Sequence, residues 1–157
     1  MAHPLNNLAM LYLAQGRYAE AEPLFRRALH IWEQSLGSEH PLVTYPLGGL
    51  ATLDFKLGKY VEAESLFRRA LRIREHTKGP QHPETAEVAH DLARLQDAQK
   101  NNEEARTWYT RALTVRTQTL GAQHPKTMET RTCLIALLHA LGQHEEAAHL
   151  EAVQSEL

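Results

Sequence analysis

The chain has 157 residues, with 17 Lys and Arg against 19 Asp and Glu, and its formal net charge is −2. This balance argues against nucleic acid as a partner, because it provides no positive field to attract phosphates. One Cys excludes an internal disulfide framework, and there is neither a membrane-length apolar run nor a signal-peptide pattern. We therefore expect a cytoplasmic protein that does not associate with membranes.

The sequence repeats with a period of 42 residues. Residues 5–41, 47–83 and 89–125 are three copies, and a more degraded fourth copy starts at position 131. Each copy holds two stretches whose apolar residues recur at helical spacing, with a short turn between them. Because one such unit cannot bury its apolar face alone, the pattern predicts stacked helix–turn–helix units.

In the first copy, the chain begins inside the predicted first helix. The His-Pro at positions 3 and 4 aligns with positions 45 and 46, and not with the His-Pro at positions 40 and 41. We expect either an abrupt natural start or an excised piece of a longer array, and we favour the second. The second helix is predicted from about residue 19 to 35, and the repeated Arg-Arg-Ala-Leu is interpreted as a solvated flank rather than a basic recognition patch.

The first helix of the second copy is unusual. Gly48 and Gly49 replace the two Asn of copy one, and each Gly costs about 1 kcal/mol relative to Ala inside a helix. Pro46 falls in the expected first turns. We therefore predict that this helix begins properly only near Tyr45 or Pro46 and is the softest inner helix. Gly58 closes it, because Gly takes the left-handed conformation without a Cβ clash.

The third and fourth copies depart from the pattern at particular places. Lys100 replaces the turn Gly and Asn101 follows it, so the turn is expected to survive with a shift of about one residue. In copy four, Glu151 and Gln154 occupy places that normally face the next repeat. Polar residues there predict a C-terminal capping repeat with an outer face that meets water.

Small and large residues alternate in register along the copies, which predicts closely packed helices, since a larger side chain would cost about 1–3 kcal/mol per site. The large places are Leu8, Leu50, Leu92 and Leu134 on first helices and Phe25, Phe67 and Tyr109 on second helices. The small places are Ala9, Ala51 and Ala93, then Ala21, Ala63, Ala105 and Ala147, and then Ala28, Ala70 and Ala112.

This arrangement resembles the tetratricopeptide repeat, whose period is about 34 residues. The extra residues are 36–43, 78–85 and 120–127, between successive hairpins, and they carry LGxxHP or a close variant. With LxNLAxLY and GKYxEAExLxxRAL inside the unit, the copies resemble the kinesin light chain type.

The resemblance implies an all-α fold, a right-handed α–α superhelix (solenoid) of stacked helix–turn–helix repeats. It implies a single array over residues 1–157, with repeats at 2–43, 44–85, 86–127 and 128–157.

Neither a metal site nor a catalytic site is predicted. His40, His82 and His124 each precede a Pro, which fits a helix entry, and one repeat of separation is too far for a shared ion. His144 and His149 are i,i+5, whereas the HExxH motif needs i,i+4. Cys133 is interpreted as an ordinary helix residue. We expect a non-enzyme without cofactors.

Three functions are considered. The first, implied by the resemblance, is a non-catalytic protein–protein interaction scaffold that binds a peptide or partner protein in a concave groove lined by the first helices. The second is self-association through the exposed N-terminal repeat edge, with no separate ligand. The third is a helical repeat that reads nucleic acid, which the net charge disfavours.

The groove residues are implied by the resemblance, place by place. Asn6 matters most, because a family Asn near this place contacts the peptide backbone, and an amide both donates and accepts. Gly48 and His90 stand at that place in copies two and three. The full set is Asn6, Met10, Leu13, Tyr45, Thr52, Phe55, Lys56, Glu87, His90, Arg94, Asp97, Glu129, Thr132 and His139.

Overall fold

The computed structural model describes the backbone of residues 1–155 and the side chains of residues 1–153, so Gln154 lies outside the described side chains. Within these residues the chain forms α-helices and one 3-10 turn, without a β-strand, which confirms the predicted all-α class. The elements are α1 (Ala2–Ala14), α2 (Tyr18–Leu36), the 3-10 turn (Pro41–Val43), α3 (Thr44–Lys56), α4 (Tyr60–Lys78), α5 (Pro83–Ala98), α6 (Asn102–Leu120), α7 (Pro125–Ala140) and α8 (His144–Ser155).

The chain divides into two compact units, each made of two helical hairpins. Unit 1 is Met1–Gly79 and unit 2 is Pro80–Leu157. In unit 1, α1 packs on α2, α3 packs on both α2 and α4, and α1 also contacts α3. In unit 2, α6 packs on both α5 and α7, and α7 packs on α8. The assignment of all residues to a single array stays a prediction.

The recurring alanines occupy the tightest places of each unit, as predicted. All ten are fully buried. In unit 1, Ala9 and Ala21 lie in one apolar cluster with Phe25 and Leu50, and in unit 2, Ala105 lies in another with Tyr109 and Leu134. Methyl-sized side chains at these places let neighbouring helices approach closely, since a larger group would strain a packed core.

The start of α3 agrees with the prediction to within one residue, since the helix begins at Thr44 after the short 3-10 turn. The two glycines inside it differ. A Cβ on Gly49 would lie 2.3 Å from Cε1 of Phe25, whereas a Cβ on Gly48 would meet no atom within 4 Å. Gly49 therefore makes room for the Phe25 ring, and Gly48 has no such packing role. The softness of α3 stays a prediction.

The turn of the third hairpin is not shifted, so the prediction of a one-residue shift is wrong. Lys100 itself adopts the left-handed conformation, with φ of 63°, in the place of Gly58. Its N–H donates to the carbonyl of Asp97 at 3.0 Å, and the next N–H donates to Gln96 at 2.9 Å. The equivalent bonds at Gly58 are 3.1 and 2.8 Å, so the same backbone bonds hold the Lys in place.

His40, His82 and His124 mark the entries to new hairpins, and their helix-entry role is confirmed. Each is extended and precedes a Pro that opens a helical element. The Nδ1 atom of each imidazole also accepts from the backbone N–H two residues later, at 3.1–3.2 Å. These histidines are therefore N-caps, a role usually filled by Ser, Thr, Asp or Asn.

Candidate functional site

The first helices of the hairpins lie side by side within each unit. We call their shared surface the first-helix face, formed by α1 and α3 in unit 1 and by α5 and α7 in unit 2. The helices α1 and α3 are in contact, and α5 meets α7 through side chains. Every groove residue predicted from the sequence lies on one of these four helices.

In unit 2, three of the predicted residues come together across α5 and α7. Glu87 accepts a hydrogen bond from Nζ of Lys126 at 3.0 Å, and both side chains are about half exposed. His90 is 3% exposed, and its Nδ1 atom lies 3.2 Å from Oγ1 of Thr130. Glu129 stands at the surface above them, with Oε1 3.8 Å from Nε2 of His90. Helix α7 thus places Lys126 and Thr130 against Glu87 and His90 of α5.

Arg116 on α6 belongs to the same cluster and is missed by the sequence reasoning. It is 2% exposed, and its Nη1 atom donates to Oγ1 of Thr130 at 2.6 Å and to the Lys126 carbonyl at 2.9 Å. Glu129 lies 4.0 Å away. The 42-residue register holds a signal, because Arg116, like Arg74 in copy two, stands in the place of the buried Trp32. A charged residue in a place that buries an indole requires partners.

Burial keeps His90 uncharged. Burial, together with the positive charges of Arg116 and Arg94, lowers the pKa of His90 to about 3. His90 is therefore a neutral imidazole at physiological pH, and it acts through hydrogen bonds rather than as a cation facing Glu129. Its Nε2 atom is enclosed without a hydrogen-bond partner.

Asp91, the next residue on α5, is also missed by the sequence reasoning. Burial is the main cause that raises the pKa of Asp91 to about 7; the neighbouring charge of Glu87 contributes in the same direction and that of Arg94 opposes it. Burial lowers the pKa of Arg116, and the carboxylates of Glu87 and Glu129 oppose this effect. The cluster thus contains a neutral His, a guanidinium and a carboxyl group that titrates near neutral pH.

A second polar contact in unit 2 links α5 to α6. The hydroxyl of Tyr109 donates to Oδ2 of Asp97 at 3.4 Å, and burial raises the Tyr109 pKa. Cys133 on α7 is half-buried beside them, and burial raises its thiol pKa. A thiol with a raised pKa is a poor nucleophile, which agrees with the interpretation of Cys133 as an ordinary helix residue.

In unit 1, the three predicted residues of α1 have different environments. Met10 is 48% exposed and available to a partner. Asn6 is buried, and its Oδ1 atom is enclosed without a hydrogen-bond partner. Leu13 is part of the apolar cluster with Phe25 and Leu50. Leu13 therefore contributes to the core, because α1 turns this side toward α2 and α3.

The four predicted residues of α3 carry a more aromatic surface. The Tyr45 ring is 44% exposed, and the guanidinium of the buried Arg74 lies 4.8 Å from its centroid. The Phe55 ring lies 5.8 Å from that of Tyr60 across the turn to α4. Thr52 is half-buried and Lys56 is exposed.

Two of the remaining predicted residues, Thr132 and His139, lie outside the α5–α7 cluster, whereas the charge of Arg94 acts on His90 and Asp91. Arg94 is exposed on α5, and Thr132 is exposed on α7, where its hydroxyl donates to the Met128 carbonyl at 2.9 Å. His139 stands at the end of α7 and contacts α8 through His144 and Glu151. The first-helix face of unit 2 therefore contains two separate polar regions.

The repeated Arg-Arg-Ala-Leu lies on second helices, away from this face. Three of its four arginines pair with neighbouring carboxylates, which agrees with its interpretation as a solvated flank. These pairs are Arg26 with Glu22 at 2.8 Å, Arg68 with Glu64 at 2.8 Å and Arg69 with Glu33 at 2.7 Å.

Two kinds of feature are absent from the described residues. No group of three His, Cys, Asp or Glu side chains is arranged to hold a metal ion. Among the helices described, none combines the length and the apolar character that crossing a membrane requires.

Comparison with known proteins shows which family these repeats resemble. The sequence model named "Tetratricopeptide repeat" matches residues 1–76, 46–118 and 98–152. BtubC (BKLC) from P. vanneervenii has a similar structure, with a TM-score of 0.84 and 24% identity over 99% of this chain and 65% of that chain. No curated protein sequence matches the chain.

Two other solved structures are similar. A putative kinesin light chain from Podosopora anserina, with nearly identical TPR-like repeats, has a TM-score of 0.85 and 26% identity over 98% of this chain and 75% of that one. Aspartyl phosphate phosphatase F from Bacillus subtilis has a TM-score of 0.86 and 18% identity over 96% and 38%. The chain thus spans between 38% and 75% of the length of these three proteins.

Proposed function

Because the chain belongs to the tetratricopeptide repeat family, with repeats of the kinesin light chain type, we propose that it is a non-catalytic protein-interaction scaffold of the cytoplasm. The partner, a peptide or a protein segment, binds on the first-helix face. The observation that supports this proposal is the lateral contact of first helices within each unit, α1 with α3 and α5 with α7, which brings predicted residues of two helices next to each other.

The two faces differ in the partner chemistry that they suit. In unit 1, exposed Met10 and Tyr45 and half-buried Phe55 present apolar and aromatic area, with Lys56 beside them. Exposed aromatic and Met side chains are typical of binding surfaces. Unit 1 therefore suits apolar side chains of a partner.

In unit 2, the exposed side chains include charges of both signs near the buried cluster of His90 and Arg116. Buried, hydrogen-bonded groups hold their neighbours in fixed positions, which favours specificity over raw affinity. Glu87, Arg94 and Glu129 are the exposed members from which we expect a partner to be selected.

The experiment starts with immobilised protein, capture of partners and peptide mapping of the captured segment. Arg94→Glu should then leave the chain folded and weaken or redirect binding, since it reverses one exposed charge on the first-helix face of unit 2. Arg27→Glu is the control, because it makes the same change on an exposed part of α2. Equal affinity of both variants for the mapped peptide would remove Arg94 from the site.

Self-association is a second candidate, favoured by exposed apolar side chains on α1. Pro4, Leu8 and Leu11 are exposed and follow helical i,i+4 and i,i+3 spacing, and Leu8 and Leu11 are 39% and 53% exposed. In copy two, the place of Leu8 is Leu50, which packs in a cluster with Phe25. The exposed apolar side chains of α1 therefore suit an apolar partner such as a second copy of the chain.

Light scattering over a range of concentrations tests this candidate. Self-association predicts a mass that rises with concentration and that returns to the monomer value in the Leu8→Glu, Leu11→Glu double variant. A monomer mass at every concentration for the unmodified chain would contradict self-association and leave the peptide-binding proposal intact.

A further inference from the structure

Two imidazoles and a carboxylate meet at the turn of the C-terminal hairpin. The Nδ1 atom of His139, in the last turn of α7, lies 3.0 Å from Nδ1 of His144, the first residue of α8. On its other side, Nε2 of His139 lies 2.9 Å from Oε1 of Glu151. The three side chains thus form a chain of contacts from one helix to the other.

The contact with Glu151 decides which nitrogen of His139 carries the proton. A carboxylate accepts only, so Nε2 of His139 is protonated and donates to Oε1 of Glu151. Nδ1 of His139 then holds a lone pair, and Nδ1 of His144 donates to it. This lone pair faces a second imidazole whose own Nδ1 lone pair becomes available when its proton moves to Nε2.

From this geometry we propose that His139 and His144 bind one divalent transition-metal ion of the class that prefers imidazole, with Zn²⁺ as the representative. Two nitrogens bound to one Zn²⁺ at about 2.0–2.1 Å are separated by about 2.9–3.4 Å, for angles from about 90° to tetrahedral. The observed 3.0 Å falls in this range, so the two nitrogens are already spaced as two ligands of one ion would be.

Glu151 has the role of an orienting group. Metal-bound imidazoles commonly donate their other N–H to a carboxylate, which fixes the tautomer and makes the ligand more basic. The pair formed by His139 and Glu151 already has this arrangement. A cleft lined by His144, Glu145 and Glu146 lies next to the pair, and its two carboxylates favour a cation.

The repeat scaffold explains why the two imidazoles meet. His139 and His144 stand in the places of Phe55 and Tyr60, which form a ring pair with centroids 5.8 Å apart, and the two imidazole centroids are 5.3 Å apart. In each case a glycine with positive φ closes the turn between the rings. The turn therefore positions two rings, and only copy four uses rings that can bind a metal.

The site offers two protein ligands, since no third His, Cys, Asp or Glu is arranged to complete it among the described residues. Water fills the other coordination positions, and the exposed position of His139 and Glu151 gives the ion direct access from solvent. Such an open two-imidazole site binds its ion reversibly.

Titration with Zn²⁺ in a calorimeter, using the full chain, tests the proposal. The test variant is His139→Phe, His144→Tyr, which restores the ring pair of copy two and so preserves packing. His149→Ala is the matched control, because His149 is exposed on α8 and lies outside the pair. We expect one saturable ion per chain in the unmodified protein and the control, and loss of this ion in the double variant.

Two further readouts separate a metal site from a packing pair. Zn²⁺ should shift the ring NMR signals of His139 and His144 ahead of the other histidines, and Glu151→Gln should weaken binding about tenfold. Absence of saturable binding in the unmodified chain would overturn the proposal. Equal binding by the double variant would also overturn the proposal, provided that circular dichroism shows this variant to be folded.

Discussion

The two units share the same small residues and differ in how they fill one recurring contact between the helices of a hairpin. In unit 1, the ring of His3 packs edge-on against Trp32 at 4.9 Å, and Arg74 lies over Tyr45 at 4.8 Å. In unit 2, the same two places hold Glu87 and the buried Arg116, whose charges attract each other.

This difference shows which places fix the backbone and which are free to vary. The alanines are fully buried in both units, whereas the contact between the two helices of a hairpin changes from copy to copy. It joins two aromatic rings in copy one, a guanidinium and a ring in copy two, and a guanidinium and a carboxylate in copy three. The alanines determine how closely the helices approach, and the residues at the larger positions vary in type while fitting that spacing. Unit 2 therefore has a polar cluster where unit 1 has aromatic contacts.

The largest expected effect comes from substituting the buried alanines that both units contain. Ala63→Arg in unit 1 and Ala105→Arg in unit 2 each put a guanidinium into a fully enclosed site. We expect each to destabilise its unit by about 4 kcal/mol or more, since an unpaired buried charge is among the costliest changes. Thermal unfolding followed by circular dichroism gives the measurement.

The matched controls for these variants are Val61→Arg and Glu103→Arg, two positions earlier in each unit and exposed to solvent. They should melt close to the unmodified protein. Near-normal melting of Ala63→Arg or Ala105→Arg would contradict the packing described for that unit.

The second effect is a pH dependence confined to unit 2. The folded pKa of His90, about 3, lies below its ordinary value of 6.5. Its contribution to stability is therefore complete above pH 6.5 and is lost as the pH falls toward 3. By pH 4 we expect a loss of about 3 kcal/mol, which His90→Asn should remove, because Asn does not titrate and already occupies this place in copy one.

Asp91 acts in the opposite sense and must be separated from His90. Its folded pKa of about 7 lies above its ordinary value of 3.8, so its contribution is present below pH 3.8 and is lost as the pH rises through 7. The comparison should therefore be made in an Asp91→Asn background. Urea unfolding at pH 7 and pH 4 measures the change in the free energy of unfolding. Hydrogen exchange then shows which unit loses stability. An equal acid loss with and without His90 would exclude His90 as its source.

The third effect distinguishes two adjacent glycines in unit 1. Gly49→Ala should destabilise α3 by about 1–3 kcal/mol, because its Cβ would lie 2.3 Å from the Phe25 ring. Gly48→Ala should stabilise it by about 0.5–1 kcal/mol, since Ala has the higher helix propensity and no atom obstructs it. Chemical denaturation measures both.

The equivalent contact in unit 2 is that of Cys133 with Tyr109, where the place of Gly49 holds a side chain. This shows that the contact adapts to the pair that forms it. In unit 1, Phe25→Leu should therefore reduce the penalty of Gly49→Ala, and a double-mutant cycle measures the coupling. Strict additivity would mean that the ring does not cause the penalty.

The sequence was sufficient for the features that depend on local pattern. Helix phase, the small buried places and the entry role of His-Pro follow from periodicity and from the restriction that Pro imposes on its neighbours. The start of α3 was predicted to within one residue for the same reason.

The contacts between hairpins were not predictable in the same way. Arg116 reaches Thr130, and Gly49 makes room for Phe25, through distances that no periodicity encodes. The predicted residues Asn6 and Leu13 lie on the expected helix, but their burial depends on how α1 packs against its neighbours. Comparing equivalent places across copies shows that Arg74 and Arg116 share the place of Trp32, but it does not identify the partners of either Arg.

The smallest expected effect concerns the turn that distinguishes the first hairpin of unit 2 from those of unit 1. Lys100 has φ of 63°, a conformation that costs a residue with a Cβ about 1–2 kcal/mol. Lys100→Gly removes this strain but increases the entropy of the unfolded chain by about 0.4–1 kcal/mol. The strain is the larger of the two, so we expect a net gain of about 0.5–1 kcal/mol in urea unfolding.

The reverse change in unit 1, Gly58→Lys, should cost a similar amount, because Gly58 has φ of 76° and a Cβ there would meet no atom within 4 Å. Its penalty would be conformational, without a steric contribution. If Lys100→Gly is neutral while Gly58→Lys is costly, the side chain of Lys100 must contribute stability that offsets its backbone strain. Equal and opposite changes would instead show that the turn backbone alone sets the difference between the two hairpins.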